Sequence, residues 1–278
     1  MSIKTANRIR LTLSYLILLG AIAVVIYPIV WVVGSSLNPG NSLSSSTIIP
    51  ENATLDHYRK LFAETEYLTW YWNTLKICFI TMVLSVIFIG LTAYAFSRYK
   101  FVGRKNGLLL FLILQMIPQF VAILAIYILA FQVGLLDTHL ALILVYVGGL
   151  IPMNTYLAKN YYDTIPKELD ESARIDGAGH FRIFWQIILP LSKPILAVIA
   201  LFSFISPFAD FILASILISS DEKQTLAVGL FNMISNKFGN NFTLFAAGSV
   251  LVAIPIGLLF LSLQRYFISG LTAGGTKG

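Results

Sequence analysis

Residues 11–34 read LTLSYLILLGAIAVVIYPIVWVVG, a run without a single Asp, Glu, Lys or Arg. The hydrocarbon layer of a bilayer is about 30 Å thick, and roughly twenty apolar helical residues cross it. This stretch is therefore long enough to span a membrane. Five others match it, at 77–97, 106–136, 138–158, 194–220 and 238–264, and across all six Asp210 is the only Asp, Glu, Lys or Arg. Composition points the same way. With 57% hydrophobic and 12% charged residues and a mean hydropathy of +0.81, the chain lies outside the range of soluble domains. The runs are continuously apolar instead of alternating in ten-residue units, which argues against a β-barrel. The expected fold is all-α and polytopic, with six transmembrane helices.

Orientation follows from Lys and Arg, which accumulate in short inner connections. With the N-terminus inside, Lys4, Arg8, Arg10, Arg98, Lys100, Arg104, Lys105, Lys159, Lys167, Arg174, Arg182, Lys193, Arg265 and Lys277 are cytoplasmic, fourteen of the nineteen. Arg59, Lys60, Lys76, Lys223 and Lys237 lie outside. Both termini are expected in the cytoplasm, and the pI near 9.3 reflects this bias, not a nucleic-acid surface. The first run lacks a small-residue cleavage site and reads as a retained helix. Cys78 is the only cysteine and lies in the second run, so no disulfide or CxxC metal site forms within the chain.

The organisation expected is a cytoplasmic N-terminus at 1–10, a permease domain at 11–268 and a cytoplasmic tail at 269–278. Residues 35–71 read as an outer loop, turn-rich over Leu37 to Thr47 and closed by Tyr67 to Trp72, whose aromatics suit an interfacial belt. Arg98 to Lys105 reads as a basic hairpin at the lipid surface and 135–138 as a tight outer turn. The longest inner connection, 159–193, holds Asp163, Glu168, Asp170, Glu171 and Asp176, five of the chain's thirteen acids.

That connection reads as two short helices. Pro166 suits a first helical turn and Gly177 a terminating left-handed position. Glu168, Asp170 and Glu171 then sit near the positive end of the first helix. Leu169, Ser172 and Ala173 share a largely small-residue face expected to point outward to a partner. On the second helix Phe181, Phe184, Trp185 and Ile188 form an apolar stripe expected to point inward. Charge runs usually mark no more than a solvated helix, and periodicity alone leaves that alternative open.

The spacing within the connection is more specific. Glu171-Ser172-Ala173, three residues, Gly177, nine residues and Ile187-Ile188-Leu189-Pro190 resembles the EAA loop of ABC importer permeases. Asp176-Gly177-Ala178 looks like the variant found in the sugar-import branch, and Ser172 departs from the second alanine but stays small. Leu226-Ala227-Val228-Gly229-Leu230 and the tail Gly270 to Gly278 resemble the smaller permease subunit of maltose and maltodextrin transporters.

The resemblance implies a non-catalytic subunit that forms half of a translocation pathway in a bacterial inner membrane. Its implied partners are a second permease subunit, two ATPase subunits that bind ATP and Mg, and an extracytoplasmic sugar-binding protein. This chain binds no cofactor, metal or nucleic acid under that reading. Glu171, Ser172, Ala173, Asp176, Gly177, Ala178, Ile187, Leu189 and Pro190 would couple it to the ATPase. Thr272, Gly274, Gly275 and Thr276, read as a flexible extended strand, would reach the ATPase subunits. Within the outer loop 221–243, Ser235, Asn236, Phe238, Gly239, Asn240 and Asn241 would enter the binding protein. Maltose or maltodextrin is the expected substrate class; galacto-oligosaccharides, raffinose-type sugars and glycerol phosphate are alternatives, because their permeases share the loop.

Among intramembrane residues, Asp210 stands out, since a carboxylate at that depth costs about 2.5–3.5 kcal/mol on insertion scales unless it meets water or a partner. It serves the pathway, snorkels outward or pairs with the second permease subunit. Asn154, Gln119 and Gln115 either line the pathway or hydrogen-bond neighbouring helices. Pro28, Pro118, Pro152, Pro207 and Pro255 interrupt spans. No catalytic set emerges from His57, His139 and His180, and no phosphate-binding GxxxxGK[S/T] loop is present. An ion-coupled secondary transporter, the rival of another class, would carry several buried acids and internal repeats.

Overall fold

A computed structural model describes residues 3–41, 50–235 and 241–275, and every long element among them is a helix. In chain order these are α1 (Ile3–Ser36), α2 (Asp56–Glu64), α3 (Tyr67–Arg98), α4 (Arg104–Leu114), α5 (Gln119–Gln132), α6 (His139–Asp163), α7 (Glu168–Ile175) and α8 (His180–Ile183). A π-helical turn, Phe184–Ile188, then leads into α9 (Leu189–Leu191), followed by α10 (Lys193–Ala209), α11 (Ile212–Leu217), a 3-10 turn at Asp221–Lys223, α12 (Leu226–Ile234) and α13 (Phe242–Gly275).

Four of the described helices are long and apolar enough to cross a membrane: Asn7–Ser36, α3, α6 and Phe242–Tyr266. The run His180–Leu191 followed by α10, bent by 80° between them, makes a fifth if the pair counts as one. Residues 106–136 are not one helix. They divide into α4 and α5 because Pro118 lacks an N–H and biases the preceding residue away from helical geometry, and Pro118 itself sits at ψ 128°. The run 194–220 likewise breaks at Asp210, whose backbone is extended, before resuming as α11. Pro28, Pro152, Pro207 and Pro255 lie inside α1, α6, α10 and α13.

The chain forms two compact units. The first comprises Met1–Tyr67 and Leu230–Ile254. There the segment expected to be an outer loop contains α2, whose buried face carries His57 and Leu61 at i, i+4. His57 Nε2 lies 2.8 Å from the Asn38 carbonyl, and the Tyr67 hydroxyl donates to the Gly248 carbonyl at 2.8 Å. A Cβ on Gly248 would come 2.5 Å from Leu230 Cδ2 and 3.1 Å from Tyr67 Cε2, so the close approach requires glycine.

The second unit comprises Leu68–Gly229 and Pro255–Gly278. It holds two apolar clusters. One joins Ile77, Leu142, Tyr146, Leu213 and Leu217. The other joins Ile89, Tyr94, Tyr162, Ile183, Ile188 and Ile199, and so ties α3, α6 and α10 to the connection between α6 and α10. Of the aromatics expected in an interfacial belt, Tyr67 and Trp70 are core residues of their respective units, while Trp72 is exposed. Trp70 lies where a Cβ on Gly229 would have to be.

At the α5–α6 turn, Asp137 adopts φ 57° and gathers the Ser219 and Ser220 amides, the Ser220 hydroxyl and the Lys223 ammonium at 2.6–3.0 Å. The Lys223 ammonium, with the Ser220 hydroxyl and amide, holds this carboxyl well below the usual carboxylate range.

Candidate coupling site

The connection between α6 and α10 is built on a helix stop. Gly177 follows α7 at φ +81°, in the left-handed region, with Asp176 as the C-cap. Its N–H donates to the Arg174 carbonyl at 3.0 Å, and the Ala178 N–H donates to the Ala173 carbonyl at 2.9 Å. This pair of bonds is the Schellman motif, and it satisfies carbonyls that the helix end would otherwise strand. Nothing lies within 4 Å of a Cβ placed on Gly177, so backbone conformation alone calls for glycine there. At the other end Glu168, Asp170 and Glu171 occupy the first turn, where carboxylates favour the helix dipole.

Only one residue of α7 is fully buried, and it is charged. Asp170 Oδ2 lies 2.8 Å from Arg98 Nε, with side-chain exposures of 6% and 2%. Arg98 is the last residue of α3. Its Nη2 donates to the Ile165 carbonyl at 2.9 Å, and its Nη1 donates to the Ser97 hydroxyl at 3.3 Å. Ser97 in turn donates to Asp163 Oδ1 at 2.7 Å, and Asp163 pairs with Lys159 at 2.6 Å. One polar chain thus joins the ends of α3, α6 and α7. Arg98 had no place among the expected coupling residues, because the pair joins residues distant in sequence and no local pattern marks it.

The faces of the two short helices differ from expectation. On α7, Leu169, Ser172, Ile175, Glu171 and Asp176 are exposed, Ile175 at 88%. Ala173 instead packs, with Ala178, against the apolar cluster under the loop. On the second helix Phe184 and Ile188 are buried as expected, but Ile183 joins them. Phe181 and Trp185 point outward and stack on each other at 6.0 Å. Buried Ile183 accounts for this, because residues two before and two after a helical position lie on the opposite face. The π-helical turn follows, where the Leu189 N–H reaches back five residues to the Phe184 carbonyl.

Ile187 and Leu189 pack at the margin of the same cluster. Pro190 sits within α9, two residues before the chain bends at buried Ser192 (φ −92°, ψ 2°) into α10. It takes the second position of α9, in a first turn, where a missing N–H costs little. Tyr94 seats the second helix on α3. Its ring lies 5.0 Å from Phe184, and its hydroxyl donates to the His180 carbonyl at 3.4 Å.

Deeper in the second unit, Asp210 Oδ2 accepts from the Tyr146 hydroxyl at 2.7 Å and from the Ala214 N–H at 3.1 Å, and so caps α11. Tyr146, Gln115, Gly149 and Ser206 line a cavity of about 550 Å³ beside the α4–α5 break. Gln115 donates to the Gly149 carbonyl at 3.1 Å. Asn154 is buried and donates to the Leu150 carbonyl of its own helix at 2.8 Å. Gln119 begins α5. Among the described residues, no group of three His, Cys, Asp or Glu is arranged to hold a metal.

The region 221–243 is only partly a loop, since it contains α12. Ser235 is exposed beyond α12, and the Asn241 side chain accepts from the Leu244 N–H at 2.9 Å and so caps α13. Asn236, Phe238, Gly239, Asn240 and Thr276 lie outside the described residues. The tail expected to be extended is instead helical through Thr272, Gly274 and Gly275, as the end of α13.

Long apolar helices, proline-broken segments and a helix-turn-helix braced on a buried ion pair define an all-α integral membrane component. The chain belongs to the family described as binding-protein-dependent transport system inner membrane component, whose profile matches residues 86–272. It is 53% identical over 278 residues to the galactooligosaccharides transport system permease protein GanQ of Bacillus subtilis, covering 99% of this chain and 98% of that one. It is 50% identical over 278 residues to the maltodextrin transport system permease protein MdxG of the same organism, covering both chains fully. Among solved structures, a bacterial ABC transporter involved in the import of the acidic polysaccharide alginate matches with a TM-score of 0.81 at 25% identity, covering 94% of this chain and 98% of that one. The chain is accordingly a non-catalytic permease subunit of an ABC importer, working with a binding protein, a partner permease and ATPases.

Proposed function

We propose that this chain forms half of the translocation pathway for neutral oligosaccharides, with maltodextrin as the first substrate and galacto-oligosaccharides as the second. Its full-length similarity to permeases named for those sugars supports the class. The loop between α6 and α10 faces the cytoplasm, as do both termini, in keeping with where Lys and Arg concentrate. There α7 docks on an ATPase subunit through Leu169, Ser172, Ile175 and Asp176, with Glu171 available to a basic residue of the partner. ATP and Mg are bound by the ATPase subunits.

The observation that carries this reading is the construction of α7. It is stopped by a glycine turn, braced from behind by a buried ion pair, and leaves Leu169 and Ile175 uncovered. An exposed apolar face on a fixed helix serves a partner, and a rigid element is what carries force between soluble subunits and spans. Residues Ser235, Asn236, Phe238, Gly239, Asn240 and Asn241 approach the binding protein, and the cavity lined by Tyr146 and Gln115 belongs to the sugar path, with Asp210 held on Tyr146. Thr272, Gly274, Gly275 and Thr276 approach the ATPase subunits, the first three from the end of α13.

The test is to purify the chain with its co-expressed partners and measure ATP hydrolysis with binding proteins loaded with maltodextrin, galacto-oligosaccharide or raffinose. Stimulation by maltodextrin is expected. Stimulation by none of the sugars would refute the substrate class.

A further inference from the structure

Arg98 and Asp170 are an unusual choice for a buried contact. Replacing a buried ion pair by apolar side chains of similar volume is often neutral or stabilising, so such a pair is weak evidence of a stability role. Its value lies in geometry. The Arg98 guanidinium engages three partners at once: the Asp170 carboxylate on α7, the Ile165 carbonyl just before α7 and the Ser97 hydroxyl on α3. Through Ser97 and Asp163 the same chain reaches Lys159 on α6. The planar guanidinium fixes the directions of the hydrogen bonds to Ile165 and Ser97, which an ammonium does not, and so holds the charge that Asp170 meets as an ion pair outside hydrogen-bond alignment.

Little else holds α7. Of its eight residues Asp170 alone is buried, and apart from it only the small Ala173 touches the apolar cluster behind the helix. The last turn is uncovered, with Ile175 open to solvent. A push on the exposed face therefore has one stiff route inward, from the Asp170 carboxylate to the guanidinium at the end of α3. That helix is 32 residues long and is one of the four that can cross the membrane unbroken.

We propose that Arg98 and Asp170 form the joint that transmits displacement of α7 to α3, acting as positioning residues for coupling without touching sugar or nucleotide. The assignment rests on the reading of α7 as the element that docks on the ATPase. Asp170→Asn removes the charge but keeps the shape and leaves the outward face of α7 intact. Arg98→Lys keeps the charge but cannot reach Asp170 and the Ile165 carbonyl together.

The experiment uses the whole complex in proteoliposomes with maltodextrin-loaded binding protein, and reads sugar delivered per ATP hydrolysed. In Asp170→Asn this ratio falls at least tenfold while the ATPase subunits still co-purify, and Arg98→Lys gives an intermediate ratio. The double variant Arg98→Met/Asp170→Leu separates folding from coupling. It assembles with a melting temperature at or near that of the wild type, yet its ratio stays low. A wild-type ratio in the double variant, or in an assembled Asp170→Asn complex, would overturn the joint. If Asp170→Asn does not assemble, the double variant decides. Failure of the unmodified chain to co-purify with ATPase subunits would overturn the docking reading itself, and so is told apart from failure of the joint.

Discussion

Substituting Gly177 tests the helix stop at the centre of the coupling loop. With φ at +81° and open space where a Cβ would stand, an L side chain meets no clash and bears only the cost of left-handed backbone. That cost is roughly 1–2 kcal/mol, offset by about 0.4–1 kcal/mol because a non-glycine residue loses less entropy on ordering. Alanine should therefore disfavour the native turn by about 1 kcal/mol, close to a fivefold shift in its population, since 1.4 kcal/mol is tenfold. Valine should disfavour it more, because a β-branched residue tolerates positive φ poorly, and asparagine less. When the turn opens, the Ala178 to Ala173 and Gly177 to Arg174 bonds are lost and α7 can extend past its stop. The assay is maltodextrin uptake against ATP hydrolysis in proteoliposomes, where sugar delivered per ATP should fall in the order Gly, Asn, Ala, Val. Wild-type coupling by Gly177→Val would refute the argument.

Other consequences follow from sites away from the loop. Gly229→Ala sets a methyl against the Trp70 ring and should destabilise the subunit by about 1–3 kcal/mol, read as a lower melting temperature in detergent; an unchanged melting curve would contradict the packing. The Asp137 carboxyl is held below its ordinary range, so its interactions stabilise the fold above the unfolded value of about 3.9 and are lost only as pH falls through the lower folded value. The melting temperature of the wild type should exceed that of Asp137→Asn by a constant margin from pH 5 to 8, with the margin closing only in strong acid. Asp210→Ala removes an acceptor from Tyr146 and from the Ala214 N–H and should cost about 1–3 kcal/mol, whereas Asp210→Asn keeps an acceptor and should cost less; equal melting temperatures for the two variants would argue against the capping role.

What the sequence conveyed, and what it did not, divides along physical lines. Apolar runs marked the membrane helices because hydrophobicity and length are local properties. Of the five prolines that mark interruptions, the sequence did not tell that Pro118 ends a helix while Pro28, Pro152, Pro207 and Pro255 stay inside theirs, and apolarity on both sides hid the break at Asp210. Gly177 was legible because a left-handed stop has a one-residue signature. The outward position of Phe181 and Trp185 was not, because either edge of the apolar stripe could have been the buried one and the burial of Ile183 decides it. Ala173 was assigned to the wrong face because the burial of Asp170 fixes the rotation of α7, and that burial depends on Arg98, a partner far away in sequence. Asn241 reads as an ordinary loop residue until the start of α13 shows that it is a cap.

The most direct test of the central claim is photo-crosslinking from α7 in the assembled transporter. A benzophenone side chain at Leu169 or Ile175 should crosslink to an ATPase subunit, while one at Trp72, at the far end of α3 from Arg98, should not. An intact, ATP-hydrolysing complex that gives no ATPase crosslink from either position on α7 would contradict the account.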